Sequence, residues 1–252
     1  MIHSFLLIGQ SNMAGRGLLC DTTPITNKQL FAMRNGIFRP MYVPVNPDRS
    51  FSGVCLAESF ADLYQKDTAI DTGLIPCADG GTSLDQWKEG SLLFDNACYA
   101  AELASRSSEI KGILWHQGES DCSPERYPVY AEKLSAMIDA LRARLGMGDL
   151  PFLMGGLGDF LAKFPSDENL KNYPHINEAL QAVAKSKNNC GFVSAEGLDS
   201  NPDFLHFNAP SLRIFGARYY EEYKRIAPNY IPQSKSSSIV SPHEKATAME
   251  LL

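Results

Sequence analysis

The sequence predicts an α/β protein whose parallel sheet is covered by helices on both faces. Five short apolar runs stand out, and each of them ends in a Gly-rich or polar segment. Stretches with helical periodicity lie between these runs. Strands that alternate with helices are joined by crossover connections, which produce parallel strands with helices on both sides. The 252 residues are enough for one large α/β domain or two small ones.

The individual elements follow in chain order. A strand is placed where an apolar run stops abruptly at glycine or a polar residue, at residues 4–8, 73–78, 112–116, 151–155 and 191–195. A helix is placed where apolar residues recur every three or four positions, at residues 54–65, 97–106, 125–145, 174–187 and 209–226. No internal repeat interrupts this alternation.

The elements predict a single domain over residues 1–232. Residues 16–52 are irregular and rich in Pro, Asn and Arg, and we interpret them as a long excursion above the sheet rather than a second domain. Residues 233–252 begin with serines and show weak patterning, which predicts a mobile or loosely docked tail.

Composition and charge narrow the range of partners. The formal net charge is −6 and no Lys/Arg-rich block is present, so neither nucleic acid nor a membrane surface is an expected partner. No apolar run approaches the ~20 residues of a membrane span. No basic segment marks a secretory signal, which predicts a cytoplasmic protein. Six scattered cysteines without a CxxC pair predict free thiols rather than a zinc site or disulfides.

The first apolar run leads into GQSNMAG, where Ser11 is a candidate nucleophile. Ligands of a doubly wound sheet bind beyond the carboxyl ends of its strands, and this serine stands at such an end. The amides Gln10 and Asn12 flank it, and we count both as candidates for substrate binding.

A serine nucleophile needs a base, which is usually histidine. Of the five histidines, His116 and His206 stand at strand-end positions. Asp203 precedes His206 by three residues, a spacing that lets a turn bring the carboxylate onto the imidazole ring.

Acyl transfer also needs hydrogen-bond donors aimed at the developing oxyanion. Gly80 and Gly81 lie in a loop where the backbone can approach a ligand closely. Gln117 directly follows the third predicted strand, and its side-chain amide is a second candidate. The backbone amide of Ser11 is the third.

Four sequence blocks, in this order and across most of the chain, resemble the SGNH hydrolase superfamily: GQSNMAG, GGTSLDQW, WHQGESD and DFLHF. The resemblance is strongest to the branch that contains sialate O-acetylesterases and carbohydrate esterase family six, with its acetylxylan esterases. It implies a flavodoxin-like three-layer αβα sandwich with a five-stranded parallel sheet. It also implies a serine esterase acting on O-acetylated sugars, whose substrate is a small-molecule or oligosaccharide acetyl ester and which needs no cofactor or metal.

The resemblance also implies roles for individual residues. Ser11 is the expected nucleophile, and Asp203 and His206 form the expected D-x-x-H pair. Gly80 fits best as an oxyanion donor, with Gly81 close behind. Gln117 takes the place of the Asn that completes the oxyanion hole in many members of the superfamily.

Several alternatives stay open. Glu119 lies two residues after Gln117 and can serve in place of Asp203 as the carboxylate that orients His206, although the local spacing favours Asp203. Trp87 is either core packing or a platform for a sugar ring. His116 with Glu119 and Asp121 is not favoured as a metal site, since no second histidine stands at ligand spacing. A lipase or thioesterase for longer acyl chains and a non-catalytic sugar-binding module are the competing functions.

Overall fold

The computed structural model describes residues 1–230, and its strands are β1 Ile2–Gly9, β2 Leu30–Arg34, β3 Ile37–Pro40, β4 Thr72–Pro76, β5 Ser108–His116, β6 Phe152–Gly155 and β7 Cys190–Val193. They form one sheet in the order β3-β2-β4-β1-β5-β6-β7. Neighbouring strands are parallel except β2 and β3, which are antiparallel. The five predicted strands correspond to β1, β4, β5, β6 and β7.

The expected count of five strands is wrong, because β2 and β3 extend the sheet at one edge. Both lie within residues 16–52, which therefore contain regular structure as well as loops. Asn35 and Gly36 have φ of 52° and 79°, and they join β2 to β3 as a two-residue hairpin with Arg34 opposite Ile37. An Asn-Gly turn favours this geometry because its twist matches that of the strands it joins. This dipeptide is the sequence signal that predicts the hairpin.

Within residues 1–230 the α-helices are α1 Ser11–Ala14, α2 Leu56–Thr68, α3 Leu92–Ala104, α4 Tyr130–Leu145, α5 Tyr173–Ser186 and α6 Ala209–Ile226. The longer five correspond to the five predicted helices. Short 3₁₀ helices lie at Leu19–Asp21, Leu84–Trp87, Glu119–Asp121, Tyr127–Val129, Asp159–Lys163, Glu168–Asn172 and Pro228–Tyr230. The predicted tail at 233–252 lies outside the described residues.

Helices cover both faces of the sheet, as the sequence predicts. Successive residues of a strand point to opposite faces. On β5, His116 packs edge-on against Phe215 of α6, with ring centroids 5.6 Å apart. The preceding Trp115 packs against Trp87 on the other face, at 5.7 Å. The sheet is therefore the middle layer, and β1 runs through it with Phe5 to Ile8 fully buried.

The ends of β1, β4 and β5 come together at one edge of the sheet. Gly9 closes β1 with φ of 127°, and a side chain there would place its Cβ 2.1 Å from the carbonyl oxygen of His116. Only glycine allows the first strand to end this close to β5. The backbone amide of Gln10 then donates to the same carbonyl oxygen over 2.9 Å.

None of the helices within residues 1–230 has the length and apolar character of a membrane span.

Candidate active site

Ser11 is the first residue of α1 and stands directly beyond the end of β1. Its side chain is 6% exposed and lines a pocket of about 300 Å³. Gln10, Gly80, Gly81 and His206 line the same pocket. The turn at Gly9 therefore delivers the serine to a cavity that is walled by the predicted second and fourth sequence blocks.

Ser11, His206 and Asp203 form one hydrogen-bonded chain. Ser11 Oγ lies 3.0 Å from His206 Nε2, and Asp203 Oδ2 lies 2.7 Å from His206 Nδ1. A carboxylate can only accept, so Nδ1 carries the proton of the neutral imidazole and Nε2 accepts from the serine hydroxyl. The structure thus joins residues that are 195 positions apart in the sequence.

The turn that holds Asp203 against the ring is local. Its Oδ1 accepts from the backbone amides of Leu205 at 2.9 Å and His206 at 3.0 Å. Partial burial by itself raises the pKa of the Asp203 carboxyl, but the His206 and Leu205 amides together with the imidazole lower it below its ordinary value. Asp203 is therefore ionised at neutral pH and suited to hold an imidazolium.

Glu119, the alternative carboxylate, does not contact His206. Its Oε1 accepts from Asn12 Nδ2 at 2.5 Å. Asn12 also donates to the Leu205 carbonyl at 3.2 Å and accepts from the Phe207 amide at 3.1 Å. The side-chain amide of Asn12 therefore links the loop of Glu119 to the segment that carries His206. These bonds give Asn12 a supporting role rather than a contact with substrate.

The expected role of Gln117 as an oxyanion donor is wrong for this geometry. The side chain is fully buried, and Nε2 donates to the Thr82 carbonyl at 3.0 Å and to Asp121 Oδ2 at 2.5 Å. Its Oε1 accepts from the Tyr130 hydroxyl at 3.0 Å. Gln117 therefore points into the protein interior. There it contacts the loop that contains Gly80 and Gly81, the glycine loop, through the Thr82 carbonyl.

Of the two glycines, the Gly80 amide is already engaged, because it donates to Asp48 Oδ2 at 2.9 Å. Within residues 1–230 the Gly81 amide has no hydrogen-bond partner. Gly81 has φ of 77°, a conformation that favours glycine. The choice between Gly80 and Gly81 as the free donor thus falls on Gly81, opposite to the expectation from the sequence pattern.

Trp87 belongs to the core, so its predicted alternative as a sugar platform is wrong. It is 1% exposed, packs on Trp115, and donates from Nε1 to Thr82 Oγ1 at 3.1 Å. Gln10, by contrast, faces the pocket, and its Oε1 lies 3.5 Å from the amide nitrogens of Gly118 and Ser120.

Sequence reasoning missed the pocket residues supplied by two other segments. Arg16, Arg49 and Phe51 come from the excursion, while Phe164, Asp167 and Leu170 come from residues that precede α5. Arg16 pairs with Asp48, with Nη2 2.7 Å from Oδ2 and both side chains at most 5% exposed. Burial by itself raises the pKa of Asp48, but hydrogen bonds from Arg16, Ser52 and the Gly80 amide lower it below its ordinary value.

His116 is a buried structural residue. Its Nε2 donates to the Gly156 carbonyl at 3.2 Å, and burial lowers the pKa of the imidazole. Its Nδ1 lies 3.9 Å from Glu119 Oε1. Within the described part of the chain, no group of three or more His, Cys, Asp or Glu side chains is placed to hold a metal ion. All six cysteines are free thiols, and only Cys20 is exposed.

The mostly parallel sheet with helices on both faces and the candidate site at its carboxyl edge define an SGNH-like α/β fold. A family model described as "Carbohydrate esterase, sialic acid-specific acetylesterase" matches residues 1–225. The chain belongs to this family of esterases. The match does not single out the acetylxylan esterases of carbohydrate esterase family six, and that part of the resemblance stays a prediction.

Individual relatives agree with this assignment. A probable carbohydrate esterase of Arabidopsis thaliana is 27% identical over 246 residues, which cover 87% of this chain and 89% of that protein. Its X-ray structure superposes with a TM-score of 0.79 at 25% identity, covering 88% of this chain and 98% of that one. The crystal structure of NanS gives a TM-score of 0.71 at 17% identity, covering 90% of this chain and 98% of that one. A carbohydrate acetylesterase from Xanthomonas citri gives 0.67 at 19% identity, with coverages of 90% and 56%. The last two similarities concern the fold.

Proposed function

We propose that this protein is a serine esterase that removes O-acetyl groups from carbohydrates by way of an acyl-enzyme on Ser11. The observation that carries the proposal is the Ser11–His206–Asp203 chain, with contacts of 3.0 Å and 2.7 Å, whose serine and histidine line one pocket. Membership of the carbohydrate esterase family supports the substrate class. O-acetylated sialic acids and acetylated xylo-oligosaccharides are the candidate substrates.

The reaction follows from the positions of these groups. His206 Nε2 takes the hydroxyl proton as Ser11 Oγ attacks the acetyl carbonyl carbon, and Asp203 stabilises the imidazolium that results. The backbone amides of Ser11 and Gly81 are the proposed donors to the oxyanion. The sugar alkoxide leaves with the proton from His206. A water molecule then attacks the acetyl carbon and gives a proton to the same nitrogen. The bond from that carbon to Ser11 Oγ breaks as His206 returns the proton to Oγ, which frees the serine hydroxyl and acetic acid, and the acid ionises to acetate.

The site favours a short acyl group over a long one. Arg16, Arg49, Glu119 and Asp167 all line the pocket. A long hydrocarbon chain needs an apolar channel, because contact with such charged groups leaves them poorly solvated. The hydrogen-bonded serine and histidine also favour catalysis over sugar binding alone, since binding needs no activated nucleophile.

Acetate release tests the proposal. The protein is incubated with O-acetylated sialic acids, acetylated xylo-oligosaccharides and cephalosporin C, and we expect turnover of at least one of them. Ser11→Ala and His206→Ala should lose nearly all activity, whereas His175→Ala, an exposed histidine paired with Glu178, should keep it.

Covalent labelling provides a second test. An organophosphonate should modify the protein at Ser11 and should not modify Ser11→Ala. An absence of labelling together with sugar binding would support the non-catalytic module instead. Faster hydrolysis of p-nitrophenyl octanoate than of the acetate would support a lipase or thioesterase.

A further inference from the structure

Phe51 is the most exposed aromatic side chain of the described residues, and it lines the pocket that contains Ser11 and His206. The side chain is 67% exposed. Most large aromatic residues of this chain are buried, as the hydrophobic effect favours. A single exposed apolar side chain is ordinary on a protein surface, but this one lines the pocket of the nucleophile, where a ligand that enters the pocket can contact it.

The ring is carried by a turn that is fixed at several points. The Ser52 amide donates to the Arg49 carbonyl, and the Arg49 amide donates to Ser52 Oγ, both over 3.1 Å. Ser52 Oγ donates to Asp48 Oδ1 at 2.8 Å. The guanidinium of Arg16 lies over one face of the Phe51 ring, 5.2 Å from its centre. The ring is therefore held by contact with a buried, ion-paired side chain while most of its surface stays exposed.

The same turn is tied to the glycine loop beside the nucleophile. Arg49 donates from Nη1 to Asp79 Oδ1 at 2.8 Å and from Nη2 to the Gly80 carbonyl at 3.0 Å. Asp48 accepts from the Gly80 amide at 2.9 Å. Phe51 therefore stands at a fixed position relative to the proposed acetyl-binding end of the pocket, which allows a bound group to be held in register with Ser11.

We propose that Phe51 is a specificity-determining platform on which the sugar ring of the substrate packs. This inference rests on the proposed function. An acetyl group has a single methyl carbon and is consumed at Ser11, so the part of the ester that extends to the rim is the alcohol. The C–H face of a pyranose is apolar and flat enough to cover an aromatic ring, while its hydroxyl groups remain at the edges for polar partners.

The test compares two acetate esters that differ in the alcohol. One is the acetylated sugar that the wild-type enzyme cleaves best, and the other is ethyl acetate, which has no ring. Phe51→Ala should raise KM for the sugar ester about tenfold and change kcat less than about threefold, because contact with the ring stabilises ground state and transition state alike. Its kcat/KM for ethyl acetate should stay within about twofold of wild type. Phe51→Trp should retain the wild-type KM for the sugar ester.

Tyr99→Ala is the matched control. Tyr99 is 57% exposed and has the guanidinium of Arg144 over its ring at 5.6 Å, but it lies on α3 and not in the pocket. This variant should leave both substrates unaffected.

Two results would overturn the platform. Equal loss on the sugar ester and on ethyl acetate assigns Phe51 to the integrity of the site, and unchanged KM on both shows that no ring packs there. Failure of the proposed function is seen separately, in the wild-type enzyme. If wild type cleaves no acetylated sugar, the proposed function fails and the platform falls with it.

Discussion

Replacing Gln117 by alanine distinguishes a residue that holds the loop from a residue that stabilises the oxyanion. The substitution removes donors to the Thr82 carbonyl and to Asp121, while Tyr130 keeps its 2.9 Å bond to the Gln117 backbone carbonyl. Asp121 keeps the Leu84 amide at 2.8 Å. The loss is therefore one hydrogen bond to a buried carbonyl and one to a carboxylate, together about 3 kcal/mol of the free energy of unfolding.

For a domain of this size, such a loss lowers Tm by roughly 6–12 °C. The catalytic consequence should be small in the folded enzyme, with kcat reduced less than about tenfold, since no donor to the reacting oxygen is removed. Loss of a true oxyanion donor would instead lower kcat by roughly 10²–10³ while leaving stability nearly unchanged.

The assay pairs urea unfolding, followed by tryptophan fluorescence, with acetate release at 20 °C, well below the expected Tm of the variant. Gln181→Ala on α5 is the control for loss of a glutamine elsewhere. If Gln117→Ala keeps the wild-type free energy of unfolding but its kcat is two orders of magnitude lower, the supporting role is refuted. Gln117 would then be a donor to the oxyanion.

Three further predictions concern single residues. Asp203→Asn should lower kcat/KM by a factor of roughly 10³–10⁴, because the imidazole loses its orienting carboxylate. Glu119→Gln should lower kcat/KM by a factor at least tenfold smaller. Equal losses in acetate-release kinetics would contradict the assignment of Asp203 as the carboxylate that orients His206. Gly81→Ala should lower the free energy of unfolding in urea by about 1–2 kcal/mol, because alanine is strained at the positive φ of Gly81. It should also lower kcat, because the backbone amide shifts. A variant with the stability and kcat of wild type would contradict both the strain and the role of the amide. Burial lowers the pKa of His3 to about 4 from 6.5. The buried neutral imidazole therefore makes its full contribution to the free energy of unfolding above pH 6.5, and this contribution is lost as the pH falls towards 4. That loss amounts to about 3 kcal/mol, and urea unfolding at pH 7 and pH 4.5 should show a smaller pH dependence in His3→Gln.

The sequence predicts the parts of the site that are set by local spacing. Asp203 and His206 are three residues apart, and a single turn brings the carboxylate to the ring. Ser11 could be placed because a buried strand followed by glycine ends at the carboxyl edge of the sheet, where β5 leaves room only for Gly9. The alternation of strands and helices predicts the five contiguous strands from β4 to the β7 edge for the same reason. Each of these inferences depends on neighbours in sequence.

The direction of a side chain beyond a strand end does not depend on its neighbours in sequence alone. Gln117 follows β5 immediately, and the pattern is equally compatible with a side chain that faces the pocket and one that faces the interior. Its direction is decided by the Thr82 carbonyl and Asp121, which need a donor once they are buried. The hairpin of β2 and β3 is a different case. The Asn35-Gly36 dipeptide predicts its turn, although residues 16–52 as a whole are rich in Pro, Asn and Arg and resemble an irregular segment.

The glycine loop explains why the second and third sequence blocks occur together. On one side, Asn46 accepts from the Ala78 amide at 3.0 Å and donates to the Ala78 carbonyl at 2.8 Å, and Asp48 holds the Gly80 amide. On the other side, Gln117 and Asp121 hold Thr82 and Leu84. A flexible glycine pair can present an amide to a developing charge only if its flanks are fixed before the reaction begins. The residues of HQGESD therefore contribute by fixing the geometry of GGTSL, and the excursion supplies the opposing contacts that no spacing rule predicts.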